Sequence, residues 1–151
     1  MELLIASDYR GYELKKKLLV ALKKEGYEPT DLGCYDAKEN DYNDSAVIVA
    51  RAVRKSLESR GILICDSAHG MTIQANRFKG IRAANCDSEE SAKMAREHDN
   101  ANILCLSAHF VDEDLAAKIA KTFLTTKFEP LERRLRRVNR LDERTDYDQE
   151  R

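Results

Sequence analysis

The chain has 151 residues, with 26 Lys and Arg against 27 Asp and Glu and a formal net charge of −1. That length suits one domain with a real core, and the balanced charge excludes a general nucleic-acid binder or a protein held on a membrane by its bulk field. The start is too soon acidic for a signal peptide and no apolar run approaches the ~18 residues of a membrane span, so a cytoplasmic protein is expected.

Leu3 to Ala6 is an apolar run that reads as a buried strand, and the polar turn Ser7-Asp8-Tyr9-Arg10-Gly11 follows it. Tyr12 to Glu25 carries Leu14, Leu18, Leu19 and Leu22 on one helical face. Tyr27 to Leu32 is a weaker strand candidate. Ala46, Val49, Ala50, Val53 and Leu57 then repeat at helical spacing after Asp44, which is expected to cap their helix. Ile62 to Cys65, Ile81 to Ala84 and Ile103 to Leu106 read as three further buried strands. Ser88 and Asp112 are expected to cap helices over 89–98 and 113–125. The alternation predicts a three-layer α/β/α Rossmann-like (flavodoxin-like) sandwich around a five-stranded parallel sheet.

From Pro130 the pattern changes. Leu131, Leu135, Val138 and Leu141 form a helical stripe among Arg133, Arg134, Arg136, Arg137 and Arg140, and an acidic, apolar-poor tail runs from Asp142 to Glu150. Residues 1–128 are thus expected to form the α/β body. Residues 129–151 add an arginine-rich helix, suited to packing on a partner subunit, and a tail that frays or lies on the basic surface.

In such sheets ligands bind beyond the carboxyl ends of the strands. The most informative stretch is therefore Gly61-Ile-Leu-Ile-Cys-Asp-Ser-Ala-His-Gly70, where a thiol ends an apolar run and a turn opens a short helix. Cys65 could face a small anion among backbone N–H groups, or it could be a small core hydrophobe. Cys34, Cys65, Cys86 and Cys105 contain no C-x-x-C, so neither a disulfide framework nor a zinc motif is indicated.

Several segments together resemble the ribose-5-phosphate isomerase B family, which also contains the galactose-6-phosphate isomerase subunits. Ser7-Asp8-Tyr9-Arg10-Gly11 is similar to its S/C-D-H-x-G, Asp41-Tyr42-Asn43-Asp44 to its D-Y-P-D, and Gly61 to Cys65 to the strand before its G-T-G-x-G loop. Ala75 to Ala83 is similar to its A-N-K-x-x-G-I-R-A and Arg96 to Leu104 to its R-x-H-N-x-A-N-V-L. The resemblance implies aldose–ketose isomerisation of a sugar phosphate through an enediolate, with Cys65 as the base, Ser67 in the place of the loop threonine and His98 assisting ring opening. It implies no metal and no organic cofactor. Asp8 and Tyr42 match residues lining the sugar site. Tyr9, Asp66, His69, Gly70, Asp99, His109, Arg133 and Arg136 fall at or beside its binding positions.

Topology adds a separate expectation. Cys65 ends a strand, whereas His98 ends a helix that precedes the next strand, so the two lie at opposite edges of the sheet. Five residues of strand span roughly 17 Å, too far for both to touch one small sugar. If both act, as the resemblance implies, His98 comes from a neighbouring subunit, and a homodimer with shared active sites is expected, with pairing into a tetramer left open.

The departures from the family fall at its anion and loop positions. Tyr9 replaces a histidine, His109 an arginine, Glu132 an arginine and Pro130-Leu131 a glycine pair. They point to a sugar phosphate other than ribose 5-phosphate, or to a non-phosphorylated acidic sugar; a subunit that completes a paralogue's site is the alternative. Asp66 and Ala68 replace loop glycines. An ionised Asp66 would raise the Cys65 pKa, with a protonated His69 offsetting it, or Asp66 would cap the following turn. A phosphoacceptor domain would need a lysine after the fifth strand, where this chain has Ser107-Ala108-His109.

Overall fold

A computed structural model describes residues 1–143, and the part of the acidic tail beyond Glu143 lies outside the described residues. In chain order the elements are β1 (Leu3–Ser7), α1 (Tyr12–Lys24), β2 (Thr30–Asp31), α2 (Tyr42–Val53), β3 (Arg60–Cys65), α3 (His69–Ala75), β4 (Ala83–Asn85), α4 (Glu89–Asp99), β5 (Ile103–Ser107), α5 (Glu113–Thr125) and α6 (Glu132–Asp142). The strands form one parallel sheet in the order β2-β1-β3-β5-β4. The three-layer Rossmann-like reading holds, but β4 and β5 are exchanged relative to the flavodoxin order 2-1-3-4-5. Hydrophobic runs identify strands; they carry no information about which buried strand lies inside another.

Period-two alternation divides the core between the two helix layers. Leu3, Ile5, Ile62, Ile64, Leu104 and Leu106 pack against α1, α4 and α5, in company with Leu18, Ala92, Ile119 and Phe123. Leu4, Ala6, Leu63, Cys65, Ile103 and Cys105 face α2 and α3, where Val49, Val53, Met71 and Ala75 meet them. Cys65 therefore points to the α2/α3 side.

Three local readings are corrected. Asp41, not Asp44, is the N-terminal cap residue of α2, without a side-chain capping bond, and Asp44 lies inside the first turn. The helix ends at Val53 because the chain must turn back to enter β3, and Leu57 stands 96% exposed beyond it. The fourth strand is an edge strand over Ala83–Asn85 and only partly buried, since side-chain clamps take the backbone groups before it. Asn102 Oδ1 accepts from the Arg82 N–H at 2.8 Å, and Asn76 both accepts from the Ala83 N–H and donates to the Ala83 carbonyl. The caps at Ser88 and Asp112 form as expected, accepting from the N–H groups of Ser91 and Leu115.

Two contacts bring the first turn onto the sheet's carboxyl edge. A Cβ at Gly11 would lie 2.3 Å from the Ile64 carbonyl oxygen, so only glycine lets α1 start this close to β3. The fully buried Lys15 ammonium donates to Asp31 Oδ1 at 2.6 Å and to the Cys34 carbonyl at 2.5 Å. A buried cation is tolerated when paired in this way, and here it ties α1 to the segment after β2. No helix among the described residues is long and apolar enough to cross a membrane.

Candidate active site

The turn between β3 and α3 is held in place by hydrogen bonds from its neighbours. Ala68 precedes α3 in the left-handed region, at φ 66, and no side chain caps the helix. The Thr72 hydroxyl donates to the Ala68 carbonyl at 2.7 Å. On the β5 side, Ser107 Oγ donates to the Asp66 carbonyl at 2.6 Å, and the His109 N–H donates to the same oxygen at 3.0 Å. Next to it the Ala108 N–H holds the Cys65 carbonyl at 2.9 Å. Strand β5 thus fixes the turn's outer edge.

Cys65 is buried, at 4% exposure, beneath this turn. The nearby backbone N–H groups of Ala68, Met71 and Ser67 favour its thiolate, while the negative charge of Asp8 disfavours it. Burial is the largest influence and pushes the thiol up from its usual range; the Asp8 charge pushes the same way, and the N–H groups oppose both. Asp66 does not play the part expected from its position. Its carboxylate turns toward His109, with Oδ1 3.9 Å from Nδ1, and the charge that acts on Cys65 belongs to Asp8. Asp66 does not cap the helix either, since β5 holds its carbonyl and sets its direction.

Asp8 is itself buried and raised by that burial, although it accepts from the Gly11 N–H at 2.9 Å. Tyr42 opens α2 with its ring directly over Gly70: a Cβ there would fall 2.4 Å from Tyr42 Cζ. His69 Nδ1 lies 3.3 Å from Nδ2 of Asn85, the last residue of β4. The turns after β1, β3 and β5 and the start of α2 therefore bring Asp8, Tyr42, Cys65, Asp66, Ser67, His69, Gly70 and His109 to one edge of the sheet, with Tyr9 following Asp8 in the first turn. Among the described residues no three His, Cys, Asp or Glu side chains converge where they could hold a metal ion.

Four candidates are not brought there. His98 and Asp99 lie in the last turn of α4, before β5 begins at Ile103, whereas Cys65 pairs with Ser107 at that strand's far end. Helix α6 lies at the same distant edge. Arg134 donates to the Glu97 carbonyl at 3.4 Å, and Asp142 receives Arg82, just before β4, at 2.7 and 2.8 Å. Arg133 and Arg136 on this helix are exposed and do not reach their own chain's Cys65 turn. Ser107 and Asn85, the last residues of β5 and β4, fall in strand-end segments that the sequence marks, but nothing in the sequence assigns Ser107 its bracing of the turn or Asn85 its contact with His69.

Residues 3–141 match the family model described as Ribose/Galactose Isomerase. The chain belongs to the ribose/galactose isomerase family. It is 42% identical over 147 residues to a probable ribose-5-phosphate isomerase B of Mycoplasma genitalium, covering 94% of this chain and 96% of that one. The crystal structure of ribose-5-phosphate isomerase B from Mycoplasma genitalium with bound ribulose-5-phosphate superposes with a TM-score of 0.89 at 40% identity, covering 99% of this chain and 97% of that one. A 4-deoxy-4-sulfo-D-erythrose isomerase of Clostridium sp. (strain MSTE9) is 38% identical over 129 residues, or 85% of this chain and 81% of that one. This member of the ribose/galactose isomerase family is thus a ribose-5-phosphate isomerase B-like sugar isomerase, an aldose–ketose isomerase.

One electrostatic consequence is testable at the thiol itself. While ionised, Asp8 disfavours the Cys65 thiolate, so removing its charge lowers the Cys65 pKa. In Asp8→Asn, which keeps an Oδ1 for the Gly11 N–H, alkylation of Cys65 by iodoacetamide should set in at lower pH than in wild type. Mass spectrometry of the Cys65 peptide across pH checks this. An unchanged or higher midpoint contradicts the assignment.

Proposed function

We propose that the chain interconverts an aldose and a ketose that carry a terminal anionic group, a sugar phosphate above all, with Cys65 as the base that moves the proton between C2 and C1. A thiolate at Cys65 takes the C2 proton of the open-chain aldose and returns it to C1, while the O2 hydroxyl proton passes to O1, so that C1 becomes the alcohol carbon and C2 the carbonyl. The Ser67 hydroxyl and the turn's backbone N–H groups support the enediolate oxygen. Asp8, Tyr42, His69 and Gly70 border the sugar. His98 of a second copy opens the ring, since it lies at the far edge of its own sheet.

The observation that carries this reading is Cys65, buried at the end of β3 where the turn opens into α3, with the Tyr42 ring closing over Gly70 in the same turn. The named relatives support the substrate class. One was crystallised with ribulose-5-phosphate, and another is named for a sulfonated four-carbon sugar, which supports a non-phosphorylated acidic sugar as the second reading. Incubation in heavy water with pentose, tetrose and hexose phosphates, and with sulfonated and carboxylated sugars, is expected to deuterate C2 of at least one anionic sugar. No exchange into any member of the panel would count against the proposal.

A further inference from the structure

We propose that Arg82 is a positioning residue for His98: together with α6 it clamps the end of α4, so that the imidazole is held where it can open the ring of a sugar bound by a second copy. The inference rests on the reading of His98 as the ring-opening group.

His98 stands in the last turn of α4, where a helix leaves carbonyls without partners. The chain closes two of them locally. Asn100 takes the left-handed conformation, at φ 48, and the N–H groups of Ala101 and Asn100 return to the carbonyls of Ala95 and Arg96 at 3.0 and 3.2 Å. The carbonyls that bracket His98, those of Glu97 and Asn100, are closed from outside the helix. Glu97 receives the Glu129 N–H at 3.1 Å and Arg134 of α6 at 3.4 Å, and Asn100 receives Arg82 Nε at 2.9 Å.

Arg82 does more than cap a helix. Its Nη1 meets both oxygens of Asp142 at 2.7 and 2.8 Å, so one guanidinium joins the last residue of α6 to the end of α4. Its backbone is fixed as well: the Arg82 N–H donates to Asn102 Oδ1 at 2.8 Å, and the Arg82 carbonyl receives the Asn102 N–H at 2.9 Å. Helix α6 is thus fastened at both ends to the turn that carries His98, through Glu97 at its start and through Arg82 at its finish.

A cation at this place is costly. Burial, with repulsion from Arg60 and Arg82, pushes Arg96 down to about 10, and burial with repulsion from Arg82 lowers Arg60. Among the described residues Asp142 is the one carboxylate that forms an ion pair with any of these three arginines. A neutral donor would cap Asn100 without that repulsion. Holding the Asn100 carbonyl and a carboxylate of α6 at once calls for the planar, many-donor head of an arginine.

The test separates ring opening from proton transfer. D-Ribose 5-phosphate has to open before its C2 can react, whereas D-ribulose 5-phosphate, whose C5 oxygen carries the phosphate, has no hydroxyl left to close a five-membered ring. Arg82→Gln should lower kcat for conversion of D-ribose 5-phosphate about 10- to 100-fold, the loss expected when a reacting group is displaced by roughly an ångström. Deuterium exchange at C1 of D-ribulose 5-phosphate in heavy water should be unchanged. Arg82→Lys, which keeps the charge without the fork, should share the loss, and Asp142→Asn, at a partly exposed position, should show a smaller one of the same kind. Equal losses in both assays, an unchanged conversion rate, or full activity in Arg82→Lys would overturn the assignment. A second readout needs no turnover. The chain has three histidines, and in protein labelled with ¹³C at histidine the order of the His98 imidazole, read from NMR relaxation, should fall in Arg82→Gln and Asp142→Asn while His69 and His109 stay as in wild type. An equally ordered His98 would remove the role of Arg82 whatever sugar the chain isomerises. Loss of order confined to His98 supports that role, even where wild type converts neither sugar and the ring-opening reading fails.

Discussion

Cys65→Ala should lower kcat for isomerisation about 10³- to 10⁴-fold and abolish C2 exchange in heavy water, the upper range for a positioned proton-transfer group. The size of the effect follows from the sulfur's isolation. The backbone donors around it come from Ser67, Ala68 and Met71, and the nearest acting charge, Asp8, is a carboxylate braced by the Gly11 N–H. Structural damage should be small, because an alanine at this buried position removes one sulfur from among Leu63, Ala68 and Met71 at a cost of about 1 kcal/mol. Near-native thermal unfolding with exchange gone is the expected pair of results. Full exchange in the folded variant would end the Cys65 proposal.

The apolar runs were enough to find β1, β3 and β5 and the layers covering them, because buried parallel strands must be hydrophobic on both faces; the weaker pattern over 27–32 shrinks to the two-residue edge strand Thr30–Asp31. What it could not reveal were features decided by single side chains reaching across the fold. Asn102 and Asn76 take the backbone groups around Gly80 to Ala83, so the fourth strand begins later than its hydrophobic run. The direction of Asp66 depends on Ser107, 41 residues away in sequence, and a local pattern cannot contain that contact. Cys65, Gly70 and Tyr42 were legible from their motifs; that Gly70 exists to seat the Tyr42 ring was not.

Mixing two inactive variants should restore activity. If each site takes Cys65 from one chain and His98 from another, a two-fold dimer of Cys65→Ala has no base in either site and one of His98→Asn opens no ring. A mixed dimer of the two has one site with both defects and one with neither. With random pairing half the dimers are mixed, so refolding an equal mixture should recover about a quarter of wild-type turnover, while each variant alone stays at least about 10²-fold down. The geometry behind this is the register of the central strands. Cys65 pairs with Ser107 at the carboxyl end of β5, whereas His98 precedes Ile103 at its start, and five residues of strand separate the two by about 17 Å. The edge that carries His98 also carries the exposed Leu131, Leu135 and Leu141 of α6 among the exposed Arg133, Arg136, Arg137 and Arg140, a surface suited to covering by a second copy. Activity of the mixture no greater than the mean of its parts, or a fully active monomer in sedimentation, would show that one chain suffices. The function of His98 would then have to be met at its own end of the sheet, and the ring would open by some group already beside Cys65.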